Sequence, residues 1–392
     1  MTAEPEDGLT VSVLGGVEDI SAQDWRTLAA GRGFYSSPRW LHFVEDDPRY
    51  DAWYLVARRG PDLLGVMPVY LPSGHVRAGV DGYYDPSAVF NTPAGVGDPA
   101  RWRPALLAGG RTGYETELLL RPGLPAGTRR CVLKQMLTRL RLLATAWDVP
   151  AIAFMYLTPA AVAELAPVVG TPPLLVDLTA AIPLEGCDSF DDYLGRLTGH
   201  RRRRVRHEIQ EFRSSGCAIR RVRPSDGIGI LAPLMAEHHH RYGHDDSTEM
   251  LATHLAKHAE HLDDLGHLLV CEDAGTPVGA LLAYEWEHAW YARAVGIADG
   301  LRGQACTYFN LVFYEPIRLA IERGVTRYLL GPSTVGAKVK RGATLEARWS
   351  LLTGGPALAD DVRALSDGWN ERQWSQWEAR LREIGCWAPL DV

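Results

Sequence analysis

Read for alternation of apolar and polar positions, the chain shows one pattern twice. Residues 54–71, YLVARRGPDLLGVMPVYL, and residues 268–285, LLVCEDAGTPVGALLAYE, align without a gap at an offset of 214. Each runs apolar strand, polar turn, glycine (Gly65 or Gly279) and second apolar strand, the signature of a β-hairpin. Repetition in one register points to duplication. The flanks match as well. Before the first hairpin, helical spacing occupies 22–32 and then 37–47, where Ser37 stands as a cap and Trp40, Leu41 and Phe43 form the apolar face. Before the second, 230–243 and 247–262 repeat the order, with Ser247 as cap and Met250, Leu251 and Leu255 apolar. A third strand follows each hairpin. A helix at 131–147 and a strand at 150–157 come next in the first half, and a helix at 306–324 and a strand at 325–331 in the second. Each half therefore reads α-α-β-β-β-α-β.

The turns into the last strands align at an offset of only 176, so the first half carries 38 additional residues between hairpin and helix. They fall in the Gly/Pro-rich stretch 73–127, a candidate substrate-facing insertion. Hairpins alternating with packed helices predict an α/β class (α+β, mixed sheet) built as a tandem pair of domains, 1–180 and 181–392. The boundary falls in 174-LLVDLTAAIPL-184, which reads as a strand. Trp369, Trp374, Trp377 and Trp387 mark a terminal core-packing helix.

Composition narrows the class. With 46% hydrophobic and 23% charged residues, disorder, collagen and coiled coil are excluded. The longest apolar runs fall far short of the roughly 20 residues a bilayer needs. The polar start MTAEPEDGLT is unlike a signal peptide, so a cytoplasmic protein is expected. Six cysteines form no C-x-x-C pair, which reads as a reduced chain without structural zinc. The net charge of −7 argues against a general nucleic-acid coat. Lysine is scarce. Only Lys134, Lys257, Lys338 and Lys340 occur among 41 Lys+Arg, and codon bias is the plain explanation. Where arginine replaces generic lysine, a persisting lysine gains meaning, and two of the four share one tripeptide.

The candidate chemistry is concentrated in the second half. In 336-GAKVKRG-342, Lys338 and Lys340 are candidates for stabilising an oxyanion or anchoring an anionic donor. As an alternating strand they would face one way and Arg341 the other. A solvated cationic turn is the plain alternative. The run around Arg202, Arg203 and Arg206 would form one helical stripe with Arg196, opposite Val205, Ile209 and Phe212. It is either a phosphate contact or a solvated face pairing with Glu208 and Glu211. Histidines cluster between His200 and His288, and His240 with Asp245 is a candidate base for an attacking amine, beside Tyr242. His254, His258 and His261 lack an acid or cysteine to complete a ligand set, so no metal is expected. Tyr291 with Arg293, and Tyr83, Tyr84 and Asp85 in the insertion, are candidate substrate contacts. Core packing and a simple turn are their alternatives.

Four segments carry a family resemblance: 193-YLGRLTGHRRRRVRHEIQEFRSSG-216, the hairpin 268–285, 308-YFNLVFYEPIRLAIERGVTRYLLGPS-333 and 338-KVKRGATLEARW-349. In this order they resemble the FemAB-like acyltransferases, a duplicated form of the GNAT fold that includes the Fem aminoacyl-tRNA-dependent transferases. The resemblance covers 190–350 in its motifs and 20–160 in element order. It implies two tandem GNAT-like domains and amide formation by direct attack of an acceptor amine on an activated acyl donor. The implied donor is aminoacyl-tRNA, and the acceptor is a small molecule or cell-wall precursor. Acyl-CoA is the alternative donor, and a non-catalytic ligand- or tRNA-binding protein is a second alternative. The stretch 300-GLRGQACTYF-309 keeps part of the acetyl-CoA loop pattern, which makes Arg302 and Gly303 donor-site candidates with Arg341. Ser333 closes the third segment as a substrate candidate. Where the family carries Y-D-F-G, this chain has Tyr328-Leu329-Leu330-Gly331, without the acid. No bound cofactor is expected, and the assembly is a monomer or homodimer.

Overall fold

The computed structural model describes residues 8–73, 82–90, 102–298 and 306–383. Two units emerge, one formed by Met1–Leu178 with Ala347–Val392 and the other by Thr179–Glu346.

The first unit begins with a strand absent from the sequence reading, β1 (Leu9–Leu14), then α1 (Ala22–Ala29) and α2 (Pro38–Glu45). Ser21 and Ser37 cap these helices by accepting from the Asp24 and Trp40 amides. The hairpin β2 (Tyr50–Arg59) and β3 (Asp62–Pro72) turns at Gly60–Pro61. There follow α3 (Pro86–Val89), β4 (Ala105–Ala108), the two-residue β5 (Leu119–Leu120), α4 (Ala126–Ala146), β6 (Ala151–Leu157) and α5 (Pro159–Val169). The module's third strand, β4, thus lies inside the stretch read as an insertion. The sheet has helices on both sides. Leu55 and Ala57 of β2 pack with Leu133, Met136, Leu137 and Leu140 of α4, while Tyr54 and Val56 meet Trp25, Leu28 and Leu41. This is the period-two strand pattern expressed as two cores. Each fully buried Leu or Val adds about 1.5–3 kcal/mol.

The chain enters the second unit within β7 (Leu174–Pro183). There α6 (Phe190–Arg196) and α7 (Gly199–Ser214) stand where one basic helix was expected. The break falls at Leu197–Thr198, and Thr198 accepts from the Arg201 amide to start α7. Arg196 therefore does not continue the Arg203/Arg206 stripe. The repeat follows: β8 (Ala218–Val222), α8 (Pro224–Arg241), α9 (Thr248–Leu262), the hairpin β9 (Gly266–Asp273) and β10 (Thr276–Trp286), and β11 (Ala289–Ile297). Ala274 and Gly275, both at positive φ, make the two-residue turn, as suits the twist of a hairpin. Ser247 caps α9, and Leu251 and Leu255 are buried, but Met250 is exposed. The next helix is a continuous rod from Thr307 to Glu322. It consists of the one-turn α10 (Thr307–Phe309), a π-helical turn at Asn310–Tyr314 and α11 (Glu315–Glu322). Then come β12 (Arg327–Gly331) and α12 (Val335–Val339).

Within β13 (Thr344–Gly354) the chain returns to the first unit, where α13 (Pro356–Glu383) follows. Each unit therefore closes its sheet with a strand from the other copy. In the first, the order is β1-β2-β3-β4-β6-β13, with β13 antiparallel to β6 from Trp349 to Gly354. In the second it is β7-β12-β11-β10-β9-β8, with Pro183 to Ala180 of β7 antiparallel to β12. The stretch 347–392, expected in the second domain, thus sits in the first. On α13, Trp369 donates to the Leu175 carbonyl at 2.7 Å, and Asn370 bonds Leu175 and Pro173.

Candidate functional site

In each unit the third and last strands of the repeat run parallel, and their pairing is brief. In the second unit it covers only Ala289–Tyr291 against Arg327–Leu329. Beyond Tyr291, β11 continues along β10, where a bulge at Arg293 breaks the register between Ala292 and Ala294. A bulge turns a side chain out of the regular alternation. Gly296, just beyond it, lets the α8 backbone rest on the strand. A Cβ there would lie 2.6 Å from Leu234 and Met235 backbone atoms.

The rod 307–322 runs between β11 and β12, and its π turn has a local cause. Pro316 has no N–H to donate to the Val312 carbonyl, and that carbonyl accepts from the buried Tyr328 hydroxyl at 3.0 Å instead. The turn faces a buried polar network on α7. Glu208, 2% exposed, pairs with Arg341 at 2.8 Å and accepts from the Tyr314 hydroxyl. Arg341 Nε donates to that same hydroxyl, and its guanidinium lies 3.5 Å from the Phe309 ring centroid. Asn310 Nδ2 donates to the Glu208 and Cys306 carbonyls. Burial raises the Tyr314 hydroxyl above its ordinary range against the opposing Arg341 charge. At the rod's start, the Cys306 thiol donates to Glu211, and burial with that bond pushes it to about 12. A π turn lined by a satisfied buried ion pair is a rigid segment of the rod.

Lys338 is buried. Its Nζ donates to the carbonyls of Leu330 (2.8 Å), Gly331 (2.9 Å) and Pro332 (2.6 Å), so it clamps the end of β12. The alternating-strand expectation for 338–341 is corrected here. On helix α12, residues two apart point to opposite sides and residues three apart share one. Lys338 and Arg341 are therefore both buried, while Lys340 is exposed. Gly342, at φ 85°, ends the helix. Ser333 is exposed at φ 63°.

At the C-terminal end of α8, Arg241 donates to the Ile297 carbonyl at 3.2 Å, which ties this end to the tip of β11. The His239 ring meets Asp246 at 2.6 Å. His240 and Asp245, one position aside on each, are exposed. The Tyr242 ring lies 5.2 Å from that of His238. Tyr291 is buried and Arg293 half-buried. Burial holds His258 well below the ordinary histidine range, helped by the charge of Arg293. Its Nδ1 shares a hydrogen bond with the Tyr284 hydroxyl at 2.8 Å.

The arginine candidates differ from one another. Arg202 is spent on the Gly195 and Leu197 carbonyls, whereas Arg203 and Arg206 are exposed. The i,i+4 pairs weighed against a phosphate contact are present as Arg204–Glu208 and His207–Glu211. Arg302 and Gly303 lie outside the described residues. In the first unit, the buried Tyr84 hydroxyl accepts from the Gly113 and Tyr114 amides at 2.9 and 2.7 Å. Asp85 caps α3 and pairs with Arg103, and Tyr83 is exposed with its ring 5.9 Å from Tyr114. The candidates thus form separate groups: Lys338, Arg341 and Ser333 around β12, Tyr242 beside the histidines of α8, and Tyr83–Asp85 in the first unit. Among the described residues no group of three or more His, Cys, Asp or Glu is arranged to hold a metal. Glu208 and Tyr314 were missed as members of the β12 group. The available signal was an acid at 208 on the apolar stripe of Val205 and Phe212.

Two copies of a sheet whose third and last strands run parallel with brief pairing, joined through a helix, form the duplicated GNAT-type acyltransferase fold. Residues 117–377 match the FemAB-like family, described as peptidoglycan biosynthesis/recognition, and the chain belongs to that family. The crystal structure of FemX superposes with a TM-score of 0.57 at 12% identity, covering 84% of this chain and 96% of that one. A tandem GNAT protein from the clavulanic acid biosynthesis pathway gives 0.53 at 15%, covering 89% and 99%. L-PGS from Bacillus licheniformis gives 0.51 at 10%, covering 90% and 97%. At such identities these likenesses establish the fold alone. No curated protein matches the chain by sequence. The family supports an acyltransferase or aminoacyltransferase. Among the described residues no helix is long and apolar enough to cross a membrane.

Proposed function

We propose that the protein is an N-acyltransferase that joins an acceptor amine to the acyl group of aminoacyl-tRNA. The carrying observation is the second unit's parted strand pair, with the rod's N-terminus braced by the Glu208–Arg341–Tyr314 network. Backbone N–H groups at a helix start favour an anionic donor, and Lys338 fixes the carbonyls at the end of β12 so that the strand edge keeps its shape. The amine attacks the ester carbonyl, the C–N bond forms, the tRNA hydroxyl leaves, and one proton departs from nitrogen. His239, oriented by Asp246 and joined to the tip of β11 through Arg241, is the base that this geometry favours. His240 and Asp245 flank it.

Acyl-CoA is the second reading, favoured by the G-x-A of 300-GLRGQA-305 just before the rod. Incubation with each donor and a panel of amines separates the two. RNase-sensitive product is expected, whereas release of free thiol without any RNA requirement would establish the CoA reading. His239→Ala should lower kcat by about 10²–10⁴-fold and His240→Ala should leave it near wild type. The reverse order would transfer the role to His240. If neither donor is consumed with any amine, the transferase reading fails.

A further inference from the structure

Helix α7 carries two opposed polar stripes. Arg204, Glu208 and Glu211 face the rod and its network. Across the helix, Arg203, Arg206, Gln210 and Arg213 fall within about 80° of one another at 100° per residue. Arg206, Gln210 and Arg213 of this second stripe wall a groove of about 490 Å³ whose other sides come from Phe190 and Asp191 of α6 and Arg318 of α11. The lining holds three arginines against one acid, in a chain of net charge −7. Arg213 makes no ion pair among the described residues. Arg206 reaches Asp191 at 3.4 Å with both side chains largely exposed, the kind of pair that yields to a better anion. Arg318 pairs with Glu315 on its own helix, and its guanidinium lies 5.1 Å from the Phe190 ring centroid.

We propose that this groove docks the sugar-phosphate backbone of RNA, with Phe190 as a stacking platform for an unpaired base. From Arg206 to Arg213 the groove wall runs about 10 Å, enough for two phosphates of one strand. Guanidinium forks suit phosphate oxygens, and an aromatic ring beside a cationic wall is the arrangement that holds single-stranded nucleic acid. An acidic peptide would meet the charge and leave the ring unused. The proposal rests on the aminoacyl-tRNA reading and adds to it a surface across α7 from the rod's N-terminus, where tRNA is gripped apart from its acyl end.

The test is the affinity of the full chain for deacylated tRNA across a KCl series. Arg213→Glu combined with Arg318→Glu should weaken binding at least tenfold and flatten the log–log salt slope by about one per lost contact. Arg213→Lys with Arg318→Lys should restore most of both. Phe190→Leu should weaken binding with the slope unchanged. Melting temperatures separate folding failures from binding losses, and Lys134→Ala, at an exposed position of α4 in the first unit, serves as a control off the groove. Wild-type affinity and slope in the Glu variants overturn the docking surface. So does an Arg213-dependent preference for polyglutamate over tRNA. If tRNA binding ignores the groove while product still requires aminoacyl-tRNA, docking falls and the donor reading stands. If the wild type neither binds nor needs tRNA, both fall.

Discussion

Two buried charges show how residue chemistry escapes pattern reading. Glu208 pairs at 2.8 Å both with the buried Arg341 and with the largely exposed Arg204, so removing Glu208 strands the buried Arg341. Glu208→Leu should destabilise by about 3–5 kcal/mol, measured by urea unfolding. The double variant Glu208→Leu/Arg341→Met should recover most of that loss, since a buried ion pair is costly to break and inexpensive to replace whole. An additive double variant would show that the network is not coupled. His258 gives a pH signature. Buried and neutral in the fold, it becomes free to bind a proton near its ordinary value of about 6.5 once the chain unfolds. The unfolded chain therefore holds more protons, and stability falls as pH drops below about 6.5. His258→Gln should flatten this fall between pH 7.5 and 5, while His267, also held low by burial, leaves a residual slope. An unchanged slope would remove His258 from the account. Lys338 was legible as unusual because lysine is scarce. Its acceptors, three backbone carbonyls, have no letter in the sequence, and its burial depended on a helix where a strand was expected.

At the scale of elements, hairpins and long amphipathic helices were legible because two-residue turns and helical spacing leave local marks. The caps Ser37 and Ser247 act as expected. The edge strands β1 and β8 were not read. AIRRV in β8 is mostly exposed and charged, which hides the alternation that a half-buried strand displays. The split between α6 and α7 was masked by the continuous run of arginines. The π turn has a cause that crosses elements, since Pro316 and Tyr328 act on one carbonyl. Tyr328→Phe should cost about 1–3 kcal/mol in the wild type. It should cost less alongside Pro316→Ala, where the restored N–H offers Val312 a helical partner. A double-mutant cycle with a coupling of about 1 kcal/mol is expected, and zero coupling would detach Pro316 from the turn.

For the whole molecule, duplication was readable from one offset, but the exchange of last strands was not. β7 and β13 have the same apolar pattern whichever sheet they complete, so the period of their residues carries no address. Residues 1–178 expressed alone should leave the edge of β6 open and lose Leu351 from the main core, giving an aggregating or poorly folded chain. Adding 347–392 in trans should restore a cooperative unfolding transition. A well-folded monomer from 1–178 alone would show that β13 is dispensable.

The exchange also sets a timetable. During synthesis the first copy emerges with its last neighbour still uncoded into chain, and that neighbour arrives only after the whole second unit has been made. At roughly 5–20 residues per second, this delay is on the order of ten to thirty seconds. The earliest half of the protein must therefore wait for its latest strand with a bare sheet edge in the cell. The second copy, whose closing strand β7 precedes it, can mature before the first does, whatever the origin of the repeat.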